Sequence, residues 1–148
     1  MQLEFWTKLR EVIDATGTSL PGTKPRPQHW NNFSIGRSDF GLNASMNTQS
    51  GFLRASINCR LRNREAHYAL LYEEKEQLES EFGEALEWEP LPGKKVKRIA
   101  VYQRGVDLTD RVQWDEQLNW IKDRLVRLDM VFRKRLKELD AGDYDPGD

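Results

Sequence analysis

Between Phe52 and Asn63 the chain alternates almost without interruption. Leu53, Ala55, Ile57, Cys59 and Leu61 share one parity, and Arg54, Ser56, Asn58, Arg60 and Arg62 share the other. Side chains of a β-strand project to opposite faces with a period of two, so the stretch predicts a strand with one apolar face and one face carrying three arginines. Such a strand belongs to a sheet covered on one side only. The apolar parity must be packed, and the arginine parity left toward water or a ligand. The rest of the chain therefore has to supply neighbouring strands and a layer of helices.

Gln2 to Thr16 places Leu3, Trp6, Leu9 or Arg10, and Ile13 at helical spacing ahead of Gly17. Residues 17–29 hold three prolines and two glycines and predict a loop. Trp30 to Gly36 and Gly41 to Asn47 predict two strands before the arginine strand, with turn-forming connections that favour an antiparallel meander. Asn63 is expected to cap a helix from Arg64 to about Phe82 that buries Tyr68, Leu71, Leu78 and Phe82 and stops at Gly83. Leu86 to Glu89 and Val96 to Gln103 predict a second hairpin, with Glu87 and Glu89 on one face, where Lys97 or Arg98 would pair with them. Asp110 predicts the cap of a final helix to about Leu139, striped by Trp114, Leu118, Ile121, Leu125, Leu128, Phe132, Leu136 and Leu139. The expected fold is a single α+β domain over residues 1–140. Its antiparallel sheet of about five strands and its three helices, in the order α-β-β-β-α-β-β-α, would pack mainly on one face. Residues 141–148 predict an acidic, disordered tail.

The balance of charge narrows the function classes. With 23 basic and 24 acidic side chains the formal net charge is -1, so binding to nucleic acid or an anionic membrane would have to come from local clustering. Five tryptophans predict a substantial core, since each buries roughly 150–250 Å². One cysteine cannot form an internal disulfide or a cysteine-based zinc site, which fits a reducing compartment. The amino terminus carries charges at close intervals, and no run approaches the roughly 20 apolar residues of a membrane span. A cytoplasmic protein without a membrane partner is expected.

Catalytic chemistry has few candidates. His29 and His67 have no second histidine at metal-ligand spacing, and Cys59 shares the apolar parity and predicts an inert buried thiol. The Glu-x-Lys-like spelling at Glu73 to Glu76 lies on a predicted helix, where residues two apart diverge. Glu87 and Glu89 could together hold a metal, but cross-strand pairing accounts for them. No catalytic residue, metal or cofactor is predicted. Binding is better supported: Arg54, Arg60 and Arg62 would hold phosphates, Arg37 on the neighbouring turn would extend the row, and Trp30 or Tyr102 would stack on a base if exposed. The basic cluster Arg133 to Lys137 is explained by the negative end of the helix dipole. The alternative is a homodimer through the last helix, whose 4-3 spacing leaves Trp120, Arg127 and Val131 beside the main stripe.

The order of landmarks carries a resemblance. Phe5-Trp6, the passage Tyr68 to Trp88, Pro90-Leu91-Pro92, Arg98-Ile99, and then Trp114, Trp120 and Phe132 together resemble the bacterial and archaeal domain of unknown function 4268 from Phe5 to Phe132. Members often sit carboxy-terminal to an endonuclease-like domain, which implies a link to nucleic acid, to nuclease or restriction-type systems, or to a nucleic-acid-processing partner. Here the family-like segment starts within the first residues, so no such domain is expected in the same chain. The resemblance brings no catalytic residues. The expectation is a non-catalytic accessory domain that contacts nucleic acid through its arginine face, with a homodimerisation module as the alternative.

Overall fold

The alternating stretch becomes the middle strand of a five-stranded, wholly antiparallel sheet. In the computed structural model, which describes residues 1–18 and 20–147, the strands are β1 (Trp30–Phe33), β2 (Phe40–Asn47), β3 (Phe52–Arg60), β4 (Glu87–Glu89) and β5 (Val96–Arg104). They lie side by side as β1-β2-β3-β5-β4. Ser19, within the expected loop, and Asp148, at the end of the expected tail, lie outside the described residues. Leu53, Ala55, Ile57 and Cys59 of β3 point into the core with Phe40, Leu42, Ala44 and Met46 of β2 and Ile99 and Val101 of β5. Burial pushes the Cys59 thiol up to about 12, so it stays protonated.

Helices cover that apolar face: α1 (Gln2–Ala15), α2 (Arg64–Glu73), α3 (Lys75–Phe82) and α4 (Trp114–Glu138). The stripe of α4 from Trp114 to Leu136 is buried along its length, each leucine or phenylalanine contributing about 1.5–3 kcal/mol of gross driving force. α1 buries Phe5, Trp6, Leu9 and Ile13. Phe5 meets Trp6 and Trp114 edge to face, each at 5.3 Å between ring centroids. Leu3, expected on the buried stripe, is exposed. Asp110 accepts from the Val112 amide as expected of a cap, but the turn it starts is 3-10 over Arg111–Gln113 before α4 begins.

The expected single helix over residues 64–82 is two. The chain breaks at Glu74, whose carboxylate takes the Arg135 guanidinium from α4 through both oxygens. The break lets α2 bury His67, Leu70 and Leu71 against the sheet while α3 turns Leu78 and Phe82 toward α4. Asn63 makes no side-chain cap: its backbone (φ -97°, ψ 16°) already lies in the turn that joins β3 to α2. Residues 141–143, where a disordered tail is expected, form a 3-10 turn, and Tyr144 packs on the core.

The described part of loop 17–29 is tied down. The Trp6 indole donates to the Gln28 carbonyl at 2.8 Å, and Arg10 to the Leu20 carbonyl at 2.7 Å. Gly22 bridges to Phe33, with the Thr23 amide donating to Asn32 and the Ser34 amide to Pro21. A Cβ on Gly22 would stand 2.7 Å from the Phe33 ring, so only glycine allows this approach.

Candidate functional site

The face of the sheet away from the helices is bare, and its register sets polar and aromatic side chains in transverse rows. Trp30 of β1 stands opposite Ser45 of β2, Ser45 opposite Arg54 of β3, and Arg54 opposite Tyr102 of β5. A second row runs Asn32, Asn43, Ser56, Ala100, Glu87, and a third joins Gly41, Asn58, Arg98 and Glu89. Short hydrogen bonds order the middle of this face. Asn43 Nδ2 donates to Asn32 Oδ1 at 2.7 Å, the Ser45 hydroxyl to Asn43 Oδ1 at 2.5 Å, and the Ser56 hydroxyl to Asn58 Oδ1 at 3.0 Å.

The two halves of the face differ in how charge is used. Across β5 and β4, Arg98 pairs with Glu89 at 2.8 Å, Arg104 takes Glu87 through both oxygens, and the Tyr102 hydroxyl donates to Glu89 at 2.6 Å. Burial first, then this bond to Glu89, raises the Tyr102 phenol above its usual range, with Arg54 opposing. Glu89 is thus engaged by Arg98, directly across the strands as expected, and Glu87 by Arg104, four residues beyond its cross-strand partner Ala100. Lys97 lies on the opposite parity and donates to the Pro90 carbonyl instead.

On β3 the arginines are not matched. The Arg54 guanidinium carbon lies 5.7 Å from the Phe52 ring and 5.8 Å from Tyr102. Its Nε is buried without a partner, and no carboxylate pairs with it among the described residues. Arg60, at the far end of the strand, is exposed, and among the described residues its side chain donates to the Ser38 carbonyl alone. Six residues of strand separate them by roughly 20 Å.

Two members of the expected arginine row lie elsewhere. β3 ends at Arg60 because Leu61 takes a left-handed conformation (φ 68°), so Arg62 sits exposed in the following turn rather than on the face. Arg37 reaches to the helix side. It donates to the Leu136 and Leu139 carbonyls at 3.0 and 2.5 Å, closing the carboxy end of α4, and pairs with Asp39 at 2.8 Å. His67, buried, lies against Phe40 and Arg37, and burial and then Arg37 lower its pKa. The expected interface residues are engaged within the domain. Trp120 and Val131 pack partly on the core, with Arg124 over the Trp120 ring, and Arg127 holds Asp123 and the Phe82 carbonyl that ends α3. In the basic cluster, Arg133 binds Asp129 and the Ser34 carbonyl, and Arg135 binds Glu74.

Beside Arg54 the face opens into a pocket of about 400 Å³, bounded by Trp30 and His29 on one side and by Phe52 and the β2–β3 turn at Asn47 on the other. Trp30 is 43% exposed while Trp6 and Trp114 are buried. Composition alone placed the tryptophans in the core, and only the pairing of Trp30 with Ser45 puts this one on the bare face. His29, Asn47 and Phe52 have no distinguishing signal in the sequence: His29 precedes β1, Asn47 ends β2 and Phe52 opens β3.

The family model described as Domain of unknown function (DUF4268) matches residues 1–136 of the 148. The chain belongs to that family. The match takes in the whole sheet and α4 up to its last turn. No curated protein matches the chain. Among the described residues no helix is long and apolar enough to cross a membrane.

Proposed function

We propose that the domain is a non-catalytic binding module for single-stranded nucleic acid, of the kind that accompanies a nuclease, and that the strand lies on the bare face between Trp30 and Arg60. The observation that carries this reading is Arg54: a guanidinium held beside two rings, unmatched by any carboxylate among the described residues, next to an exposed tryptophan and a pocket. Cations without internal partners are free to neutralise phosphate. An exposed indole favours an unpaired strand, because bases in a duplex present no free face to stack on, and each such stack is worth about 1–3 kcal/mol. The carboxylates that a metal-dependent cut would need, Glu87 and Glu89, are held by arginines.

Fluorescence anisotropy of labelled single- and double-stranded DNA and RNA at about 50 and 200 mM salt tests the reading. Tighter binding of single strands that weakens with salt, and that is lost in a folded Arg54→Glu, Arg60→Glu variant, is the expected result. Equal binding by the variant sinks it. A second reading, self-association, rests on Met130 of α4, which is 75% exposed beside a groove lined by Leu78 and Val131. A mass that rises with concentration and falls in Met130→Glu supports it.

A further inference from the structure

We infer that the pocket beside Arg54 accepts a single guanine base and reads its N7 and O6 edge. This rests on the reading of the bare face as a nucleic-acid surface and adds a base preference to it. The volume of about 400 Å³ falls in the range of small-molecule sites, roughly 300–1,000 Å³, and is lined on one side by the exposed ring of Trp30.

Arg54 selects the base, as the lining guanidinium that can only donate. With its Nε buried, the fork that can reach a base is the pair of Nη groups. Asn47 Oδ1 is already taken by the Gln49 and Ser50 amides at 3.0 and 2.8 Å, leaving its Nδ2 as the free group. Gln2 Nε2 lies 3.0 Å from His29 Nδ1, and with that amide as donor the ring proton resides on Nε2. Arg54, Asn47 and His29 therefore offer donors, Ser45, whose proton goes to Asn43, offers a lone pair, and Thr48 and Gln49, which also line the pocket, can donate or accept.

Guanine meets this arrangement. Its N7 and O6 are two adjacent acceptors that match an arginine fork, and its N2 amino group is a donor on the opposite edge. Adenine sets a donor beside N7, and cytosine carries a donor at N4, so each would turn N–H groups toward N–H groups. Phe52 and Tyr102 pack together against one side of the Arg54 guanidinium and limit its motion, which orients the fork before the base arrives.

Short thymine oligonucleotides carrying one guanine, adenine, cytosine or 7-deazaguanine, compared by anisotropy, test the inference. The guanine strand is expected to bind roughly tenfold more tightly than the adenine strand, and 7-deazaguanine, lacking N7, to fall to the adenine level. Arg54→Lys keeps the charge but loses the fork, so it should retain salt-dependent binding and lose the preference. Equal binding of all four strands overturns the guanine pocket while leaving the nucleic-acid reading intact. So does inorganic phosphate competing as well as guanosine monophosphate, which would make the site one for phosphate. Should no oligonucleotide bind, the broader reading fails, and guanosine and adenosine monophosphates titrated against tryptophan fluorescence decide the pocket alone. Preference for the guanine nucleotide upholds it, and an equal or absent response overturns it.

Discussion

The two halves of the bare face are built from the same residue types and differ in whether arginine has a partner. On β5 and β4, Arg98 and Arg104 each face a glutamate, and Glu89 also holds Tyr102. On β3, Arg54 and Arg60 face none among the described residues. A wet sheet face accounts for the first half, because paired charges of opposite sign stabilise neighbouring strands. It accounts less well for the second, where a partly buried cation without a counter-charge contributes little to folding. The contrast separates arginines that hold the sheet from arginines left for something outside it.

Breaking the paired half has the largest expected effect. Glu89→Ala leaves Arg98, only 19% exposed, and the Tyr102 hydroxyl without their acceptor. It should cost about 2 kcal/mol in denaturant unfolding, since a partly buried charged donor loses its partner. The same change makes this half resemble the other, so binding of single strands should tighten at low salt.

Arg54→Ala is the reverse case. It should change stability by less than about 0.5 kcal/mol yet weaken binding roughly tenfold and lower the slope of log affinity against log salt by about 1. Loss of stability without loss of binding would place Arg54 among the structural arginines.

Acid sharpens the comparison from the other side of the sheet. His67 is buried beside Arg37, with Asp39 and Asp140 partly offsetting that cation, and its pKa is lowered by burial first. The unfolded imidazole takes up a proton near pH 6.5 while the folded one does so only at lower pH. In that window the unfolded state binds more protons, so stability falls as pH drops below about 6.5, by at most about 1.4 kcal/mol per unit for one site. His67→Phe should flatten that stretch of the stability curve, measured by urea unfolding between pH 7 and 5. The smallest effect belongs to Arg104→Ala, because both partners of the pair with Glu87 are well exposed and solvent screens them; the urea-unfolding midpoint should stay close to that of the unmutated domain.

How far these features could be read from the sequence depends on how local their causes are. The alternation of β3 and the stripe of α4 follow from spacing within a few residues, and the structure has them. The hairpin register also brings Arg98 to Glu89 as expected, while Glu87 takes Arg104, beyond the expected Lys97 or Arg98. Arg62 could not be placed, because nothing before Leu61 announces its left-handed turn. Arg37 reads as part of the row by position, but its partners lie about a hundred residues on, at the end of α4. The break at Glu74 has no glycine or proline to mark it and depends on Arg135 from another helix. Trp30 was legible as a possible stacker only on condition of exposure, which pairing with β2 decides.

A sheet with one bare face invites a second hazard at its edges, where unpaired backbone groups recruit other strands and lead to aggregation. Here neither margin offers a long template. β4 is three residues of alternating glutamate and tryptophan, and the outer side of β1 already exchanges hydrogen bonds with Pro21 and Thr23 through the close approach at Gly22. The proline-rich segment thus acts as a selvedge, finishing the sheet so that its open surface can stay wet without the domain being stitched to its neighbours.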